Sequence, residues 1–168
     1  MKHAHSRRSD IPFNWPTTDF HVVLVEPQIP PNTGNIARLC AATGSSLHLV
    51  EPLGFPITDA KLKRAGLDYW DALDIHRHSR FDDYLRAAAP RRFFLFSTGG
   101  AQSYLGVRYE PGDALVFGSE TKGLSDQLLR AHPDRVVGIP IRTEHVRSLN
   151  LSSSVAIAVY EALRQVAS

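Results

Sequence analysis

Short apolar runs alternate with stretches of helical periodicity along most of the chain. Strands are predicted at residues 21–25, 47–50, 72–75, 93–96, 114–117 and 136–139. Helices are predicted at residues 33–43, 59–65 and 81–88, in a short segment starting near Ser125, and at residues 149–166. Strands separated by helices imply right-handed crossovers and a mostly parallel sheet with helices on both faces, so the predicted fold class is α/β.

The loops that follow the strands are the expected places for chemistry. Ligands of such sheets bind outside the carboxyl ends of the strands. The loops of interest therefore follow Val25, Phe96, Phe117 and Ile139.

Composition indicates a single folded domain. The chain has 168 residues, of which 43% are apolar and 21% charged. It has no apolar run of membrane-spanning length and no N-terminal apolar run typical of a signal peptide, so we expect a cytoplasmic protein with no membrane partner. The single cysteine, Cys40, is expected to be a buried thiol, and no Cys/His cluster has the spacing of a zinc site, so no metal is expected.

The N-terminal residues differ from the rest of the chain. Residues 1–18 mix His, Arg, Ser and Pro without apolar periodicity, which predicts a flexible or loosely docked extension before a domain at residues 19–168. The net charge of +2 is accounted for by Lys2, Arg7 and Arg8 against Asp10. A nucleic-acid partner would therefore bind through local basic patches rather than through a positive field over the whole domain.

The segment at residues 26–38 is the first that suits ligand binding. Two prolines stiffen it, Asn32 or Thr33 is expected to cap the following helix, and Gly34 leaves the first turn open, where an anion could bind. Arg38 lies one turn later and shares the face of Gly34. The alternative is an ordinary capped amphipathic helix with a solvated arginine.

The segment at residues 116–124 follows an apolar strand. Gly118 and Gly123 permit backbone shapes or close approaches that other residues do not, and they bracket Glu120 and Lys122. The glycine spacing fits neither a phosphate-binding loop nor a dinucleotide fingerprint. The alternative is a plain strand-loop-helix connection.

The segment at residues 147–154 opens the last helix. Three consecutive serines predict close packing, and Ser148 and Asn150 place polar groups where a ligand could meet backbone N–H donors. The alternative is a dense core element or a dimer element.

Taken together, the three segments resemble, in order and spacing, the signature motifs of the SPOUT RNA methyltransferases. The likeness covers residues 20–165. Residues 26–35, 39–40, 49–55 and 64–69 are similar to the subgroup that methylates the wobble nucleotide of tRNA. The resemblance therefore implies transfer of a methyl group from S-adenosyl-L-methionine to the ribose 2'-hydroxyl of cytidine or uridine in the anticodon loop, with S-adenosyl-L-homocysteine as product and no metal.

The resemblance also implies a fold detail and a donor site. It implies a deep trefoil knot in the C-terminal half, a rare exception to unknotted topology. The implied donor-binding residues lie in three loops: Phe96, Ser97, Thr98, Gly118, Glu120, Gly123, Ile139, Ser148 and Leu149.

The resemblance implies that Arg38 is the catalytic group. Asn32, Glu120, Ser148 and Asn150 would shape its surroundings. A guanidinium is effectively always protonated, so we interpret Arg38 as orienting the ribose or an adjacent phosphate and stabilising the developing alkoxide, rather than as a free base.

The implied partners are tRNA and a second copy of the chain, with the sites of the homodimer near the subunit interface. The candidate RNA-binding residues are Arg147, Tyr160, Lys122, Lys61 and Arg64. One alternative is a 2'-O-methyltransferase of the same fold that acts at another tRNA position or on rRNA. A more remote alternative is a non-catalytic RNA-binding protein, which would be expected to have lost Arg38, Glu120 or Asn150.

Overall fold

A computed structural model of the chain describes residues 11–57 and 73–168. Its strands are β1 His21–Val25, β2 Ser46–Val50, β3 Ile75–His78, β4 Phe93–Phe96, β5 Gln102–Ser103, β6 Ala114–Phe117 and β7 Val136–Gly138. Its α-helices are α1 Pro30–Thr43, α2 Phe81–Ala88, α3 Asp126–Ala131 and α4 Leu151–Val166. Short 3-10 helices occupy Tyr104–Gly106 and Pro133–Arg135.

The strands form a seven-stranded sheet in the order β3-β2-β1-β6-β4-β7-β5. Each strand pairing among the described residues is parallel, which confirms the predicted class of sheet. Strands β1, β6, β4 and β7 are neighbours, so their carboxyl ends lie side by side at one edge of the sheet. The loops predicted to carry chemistry therefore meet at that edge.

Two apolar layers cover the sheet, because successive strand residues face opposite sides. Val22 and Leu24 of β1 belong to a cluster that includes α1 and α4. Val23, between them, belongs to a second cluster that includes Tyr84 of α2 and is packed by α3 residues. Helices therefore lie on both faces of the sheet.

Several predicted boundaries need correction. The strand predicted at residues 72–75 is wrong in position, since β3 is Ile75–His78. This edge strand is polar and partly exposed, so its apolar signal is weak. The two-residue strand β5 was not predicted for the same reason. The helix predicted at residues 59–65 lies outside the described residues.

The predicted cap of α1 is also wrong. The N-cap is Ile29, which makes no side-chain cap, and α1 begins at Pro30, a residue well suited to the first helical position. Asn32 and Thr33 are buried inside the first turn. At the other end, Gly44 closes the helix with a left-handed φ of 69°. Helix α4 begins later than predicted, at Leu151, because Asn150 is its N-cap.

Residues 11–18 have no regular secondary structure but contact the domain. Phe13 packs against the core cluster that includes α1 and α4. The side-chain amide of Asn14 donates a hydrogen bond to the carbonyl of Ala167 at 3.4 Å. Among the described helices, none is both long enough and apolar enough to cross a membrane.

Candidate donor and substrate site

A cavity of about 650 Å³ lies at the carboxyl ends of β1, β6, β4 and β7. This volume is within the usual range for a small-molecule site. The cavity is lined by thirteen of the residues singled out from the sequence: Asn32, Phe96, Ser97, Thr98, Gly118, Glu120, Lys122, Gly123, Ile139, Arg147, Ser148, Leu149 and Asn150. Three segments distant in sequence therefore form one site.

The carboxylate of Glu120 is held by the start of α1. One oxygen accepts a hydrogen bond from the backbone N–H of Gln28 at 2.8 Å. The other accepts from the backbone N–H of Ile29 at 3.1 Å and from the side-chain amide of Asn32 at 3.4 Å. Unpaired N–H groups at a helix start favour a negative partner, so Glu120 takes the place of the missing side-chain cap.

Asn150 extends this arrangement to α4. Its side-chain oxygen accepts hydrogen bonds from the backbone N–H groups of Ser152 at 2.9 Å and Ser153 at 3.4 Å, as an N-cap does. Its amide donates to the side-chain oxygen of Asn32 at 3.1 Å. Glu120, Asn32 and Asn150 thus form a hydrogen-bonded chain, the Glu120–Asn32–Asn150 chain, along one wall of the cavity.

The loop after β6 is a tight turn. The backbone N–H of Gly123 donates to the carbonyl of Ser119 at 2.9 Å, and the N–H of Lys122 donates to the Ser119 hydroxyl at 3.1 Å. Gly123 has a φ of 65°, which favours glycine. Gly118 is required for space instead, since a Cβ there would overlap the backbone of Gly123 and Leu124.

The floor of the cavity is apolar and partly aromatic. The rings of Phe96 and Phe117 stack with centroids 4.6 Å apart. Leu124, Ile139 and Ser97 line the same cavity. An apolar floor beside loop backbone and polar side chains fits a donor that has an adenine ring, a ribose and a charged amino-acid moiety.

Two predicted site residues lie elsewhere, and two more fall outside the part of the chain that the structure describes. Arg38 and Tyr160 do not line the cavity; both side chains are exposed, on the outward faces of α1 and α4. Lys61 and Arg64 lie outside the described residues.

Other cavity residues were not found from the sequence. Ile29 and Asp126 both line the wall, and the backbone N–H of Gln28 holds Glu120. Ile29 and Gln28 act through backbone groups, which carry no side-chain signal. Asp126 lies in the first turn of α3, directly after the β6 loop, and this position is the sequence signal that could have identified it as a cavity residue.

The comparisons with known proteins agree with this geometry. The chain belongs to the SpoU rRNA Methylase family, whose model matches residues 19–160. It is similar to the tRNA (cytidine(34)-2'-O)-methyltransferase of Burkholderia pseudomallei strain 1106a, with 52% identity over 87% of this chain and 95% of that protein. The protein of that name from Escherichia coli K12 is 47% identical, over 87% of this chain and 93% of its own length.

Solved structures show the same fold. A structure described as "Structural insights into the 2-OH methylation of C/U34 on tRNA" superposes with a TM-score of 0.80 at 44% identity, covering 89% of this chain and 97% of that one. The SpoU methyltransferase AviRb from Streptomyces viridochromogenes, in complex with the cofactor AdoMet, superposes with a TM-score of 0.75 at 26% identity, covering 89% of this chain and 62% of that one.

Proposed function

We propose that this protein transfers a methyl group from S-adenosyl-L-methionine to the ribose 2'-hydroxyl of the wobble nucleotide, cytidine or uridine, in the tRNA anticodon loop. The observation that carries the proposal is the single cavity in which the glycine loop after β6 meets the Glu120–Asn32–Asn150 chain. The names of the relatives from Burkholderia and Escherichia support the choice of substrate. A tRNA-modifying enzyme of this kind would act in the cytoplasm.

The donor would bind in the three loops after β4, β6 and β7. Phe96, Gly118, Ile139 and Leu149 line the cavity where the adenosine would lie. A deep trefoil knot in the C-terminal half is part of this proposal. The insertion of β7 between the consecutive strands β4 and β5 supports it, as does the close approach of Gly100, in the loop between those strands, to the backbone of Val137 and Gly138.

The donor's sulfonium supplies an already activated methyl group. The protein's own residues must therefore align the ribose hydroxyl and assist the passage of its proton to solvent as the methyl group moves from sulfur to oxygen and S-adenosyl-L-homocysteine is left. Arg38 would orient the ribose or a neighbouring phosphate and stabilise the negative charge that develops on the oxygen, since its guanidinium remains protonated. The Glu120–Asn32–Asn150 chain would hold the wall against which the ribose lies.

Arg38 lies outside the cavity of its own chain, so the proposed site needs a second subunit. Helices α1 and α4 pack against each other, and each has an exposed outward face. Ile157 is 38% exposed and Tyr160 50% exposed on α4, and Ile29, beside the cavity, is 42% exposed. We propose that this face forms a homodimer in which Arg38 of one subunit reaches the cavity of the other.

The substrate RNA would contact the basic residues that line the cavity and an aromatic residue on the proposed dimer face. Lys122 and Arg147 line the cavity, and Tyr160 lies on the proposed interface. Phosphate contacts of Lys and Arg position an RNA, whereas stacking on an aromatic ring suits an unstacked base of a loop.

Nucleoside mapping tests the proposed reaction. Mass spectrometry of tRNA from a strain that lacks the gene should show loss of the 2'-O-methyl group from wobble cytidine or uridine, and the purified protein should restore it. Loss at another tRNA position or in rRNA would instead identify a different substrate. Unchanged methylation of all RNA, together with no activity of the purified protein, would overturn the proposal.

A complementation experiment tests the shared site. Arg38→Ala and Glu120→Ala homodimers should both retain only a small residual activity, but a heterodimer of the two variants has one site with an intact Arg38 from one subunit and an intact Glu120 from the other. It should recover about half of the wild-type activity if the two residues act across the interface. An inactive heterodimer would show that both residues belong to one chain's site, and light scattering of an active monomer would exclude the dimer.

A further inference from the structure

Gly54, in the segment after β2, lies directly against the start of the loop that leads into α1. A Cβ built on Gly54 would lie 2.7 Å from the Cα of Gln28 and 3.0 Å from its backbone carbonyl oxygen. The backbone N–H of Gly54 also donates to the carbonyl of Pro27 at 2.9 Å. Its backbone is not in the left-handed region, so glycine is needed here for space.

Moving the segment around Gly54 away from Gln28 would disturb the packing of its neighbours. Leu53 and Ile57, which flank it, are partly buried and pack against the core cluster that includes α1 and α4. On the other side, the backbone of Glu26 has a φ of 55°, and its carbonyl accepts a hydrogen bond from the side chain of Gln28 at 3.1 Å. A side chain at position 54 would therefore push against the Gln28 backbone.

The Gln28 backbone is part of the site. The N–H groups of Gln28 and Ile29 hold the two carboxylate oxygens of Glu120 at 2.8 and 3.1 Å. Glu120 in turn accepts a hydrogen bond from Asn32 in the cavity wall. A displacement of Gln28 is therefore transmitted to the Glu120 carboxylate without any contact between residue 54 and the cavity.

We propose that Gly54 is a positioning residue for methyl transfer, because its missing side chain lets the Gln28–Ile29 backbone come close enough to fix Glu120 against the substrate. This inference rests on the proposed methyltransferase function. Misplacing a reacting group by about 1 Å costs on the order of 10²-fold in rate. Gly54→Ala should therefore lower the single-turnover methylation rate roughly 10- to 100-fold.

A matched glycine substitution separates this effect from a general cost of adding a methyl group. Gly106→Ala is the control, since a Cβ at Gly106 would have its nearest neighbour at 4.0 Å, the side chain of Gln102. Gly106 does not line the cavity. Gly106→Ala should keep the wild-type rate and thermal midpoint, whereas Gly54→Ala should stay folded with a lower thermal midpoint, because the backbone must shift to accommodate its Cβ.

The role of Glu120 is tested by a double-mutant cycle. If Gly54→Ala acts through Glu120, it should slow a Glu120→Ala enzyme by less than two- to threefold, although it slows the wild type much more. Additive losses of rate in the double variant would overturn the proposal. So would a wild-type rate for Gly54→Ala.

A measurement that does not depend on methylation activity tests this inference separately from the proposed function. Amide hydrogen exchange measured by NMR should be slow at Gln28 and Ile29 in the wild type and faster in both Gly54→Ala and Glu120→Ala. Unchanged exchange at both amides in Gly54→Ala would overturn the positioning contact, whatever the activity. If the contact is present but wild-type protein methylates no RNA, the proposed function fails and the positioning role for methyl transfer falls with it.

Discussion

The side-chain amide of Asn150 donates a hydrogen bond to the side-chain oxygen of Asn32 at 3.1 Å, joining the N-cap of α4 to the first turn of α1. The same Asn150 caps α4 with its oxygen. One side chain therefore has two separable tasks, since its oxygen stabilises a helix and its nitrogen maintains a wall of the cavity.

Asn150→Asp should separate the two tasks. A carboxylate caps a helix as well as an amide does, so the thermal midpoint should stay near that of wild type. The donor to Asn32 is lost, and a second negative charge is placed near Glu120, so the single-turnover rate should fall by roughly 10- to 100-fold. Asn150→Ala should lose activity and also about 1 kcal/mol of unfolding free energy. A fully active Asn150→Asp enzyme would show that the amide has no part in the reaction.

Arg38→Ala should lower the single-turnover methylation rate at saturating tRNA by about 10²- to 10³-fold, the usual loss when a group that stabilises developing charge is removed. Donor affinity measured by calorimetry should be unchanged, because the proposed contact of Arg38 is with the ribose or a neighbouring phosphate of the RNA and not with the donor. Arg38→Lys should recover little, since an ammonium lacks the planar set of donors.

A suitable control for Arg38 is Arg86→Ala. Arg86 is an exposed arginine of α2 that forms an ion pair with Asp83. This variant should keep the wild-type rate. An Arg38→Ala rate within a few-fold of wild type would eliminate Arg38 as the catalytic group, and a parallel loss of donor affinity would place it in the donor site.

Gly118→Val should abolish binding of S-adenosyl-L-methionine measured by calorimetry. Even a Cβ at this position would overlap the backbone of Gly123 and Leu124, so the loop after β6 cannot keep its shape. Gly106→Val, in an open position, should bind the donor normally. Unchanged donor affinity in a folded Gly118→Val protein would show that the loop is not part of the donor site.

A cluster of histidines should make the stability of the protein depend on pH. His48 of β2 stacks on His21, His76 and His78, with ring centroids 4.9, 4.8 and 5.2 Å away. Its ring nitrogens lie 3.0 Å from His78 Nε2 and 3.1 Å from Ser46 Oγ. Burial, with a smaller contribution from the neighbouring imidazoles, lowers the pKa of His48 to about 3. Burial is also the main cause of the lowered pKa of His21 and of His78.

The sign of the effect follows from these lowered pKa values. Below the ordinary histidine pKa of about 6.5, the unfolded chain binds more protons than the folded chain. The contribution of the neutral, buried histidines to the free energy of unfolding is therefore fully present above pH 6.5. It is lost progressively as the pH falls from 6.5 towards 3. The urea midpoint should decrease from pH 7.5 to pH 4.5.

His48→Gln should make the urea midpoint depend less on pH, since an amide can hydrogen-bond but does not titrate between pH 7.5 and 4.5. His145→Gln, at an exposed position of the loop before α4, should leave the pH dependence as in wild type. If the urea midpoint of His48→Gln changes with pH as steeply as that of wild type, the histidine cluster is not the cause.

Removal of residues 1–18 should leave the fold and donor binding intact, as the absence of apolar periodicity predicts. The contact of Phe13 with the core adds a cost, so the truncated protein should melt a few degrees lower than the full chain. Phe13→Ala in the full chain should reproduce most of that decrease. A truncated chain that fails to fold would show that the extension belongs to the core.

Most of the local structure follows from the amino-acid sequence alone. The observed bounds of β1, α2, β4 and β6 are those predicted, because strand and helix periodicity depend on neighbouring residues. The polar edge strand β3 was misplaced, since half-exposed strands carry little apolar signal. The loops after the strands were also identified, because their glycines, prolines and serines interrupt the periodicity.

How those loops combine depends on the order of the strands in the folded sheet. Strand β6 lies between β1 and β4, and this placement brings Glu120 to the start of α1, 88 residues away from Asn32. Local sequence does not specify which strands become neighbours. It therefore predicted Asn32 as a possible helix cap, whereas the fold uses its amide to bind Glu120 and its oxygen to bind Asn150.

The same limit applies to Arg38 and Gly54. Helical spacing predicted that Arg38 shares the face of Gly34 that opens toward a ligand, whereas in the folded chain Arg38 is exposed and does not line the chain's own cavity. The contact of Gly54 was not predicted from the sequence, because the backbone against which it packs lies 26 residues earlier in the chain. Contacts of this kind depend on the path of the backbone through space, and periodicity and composition do not specify that path.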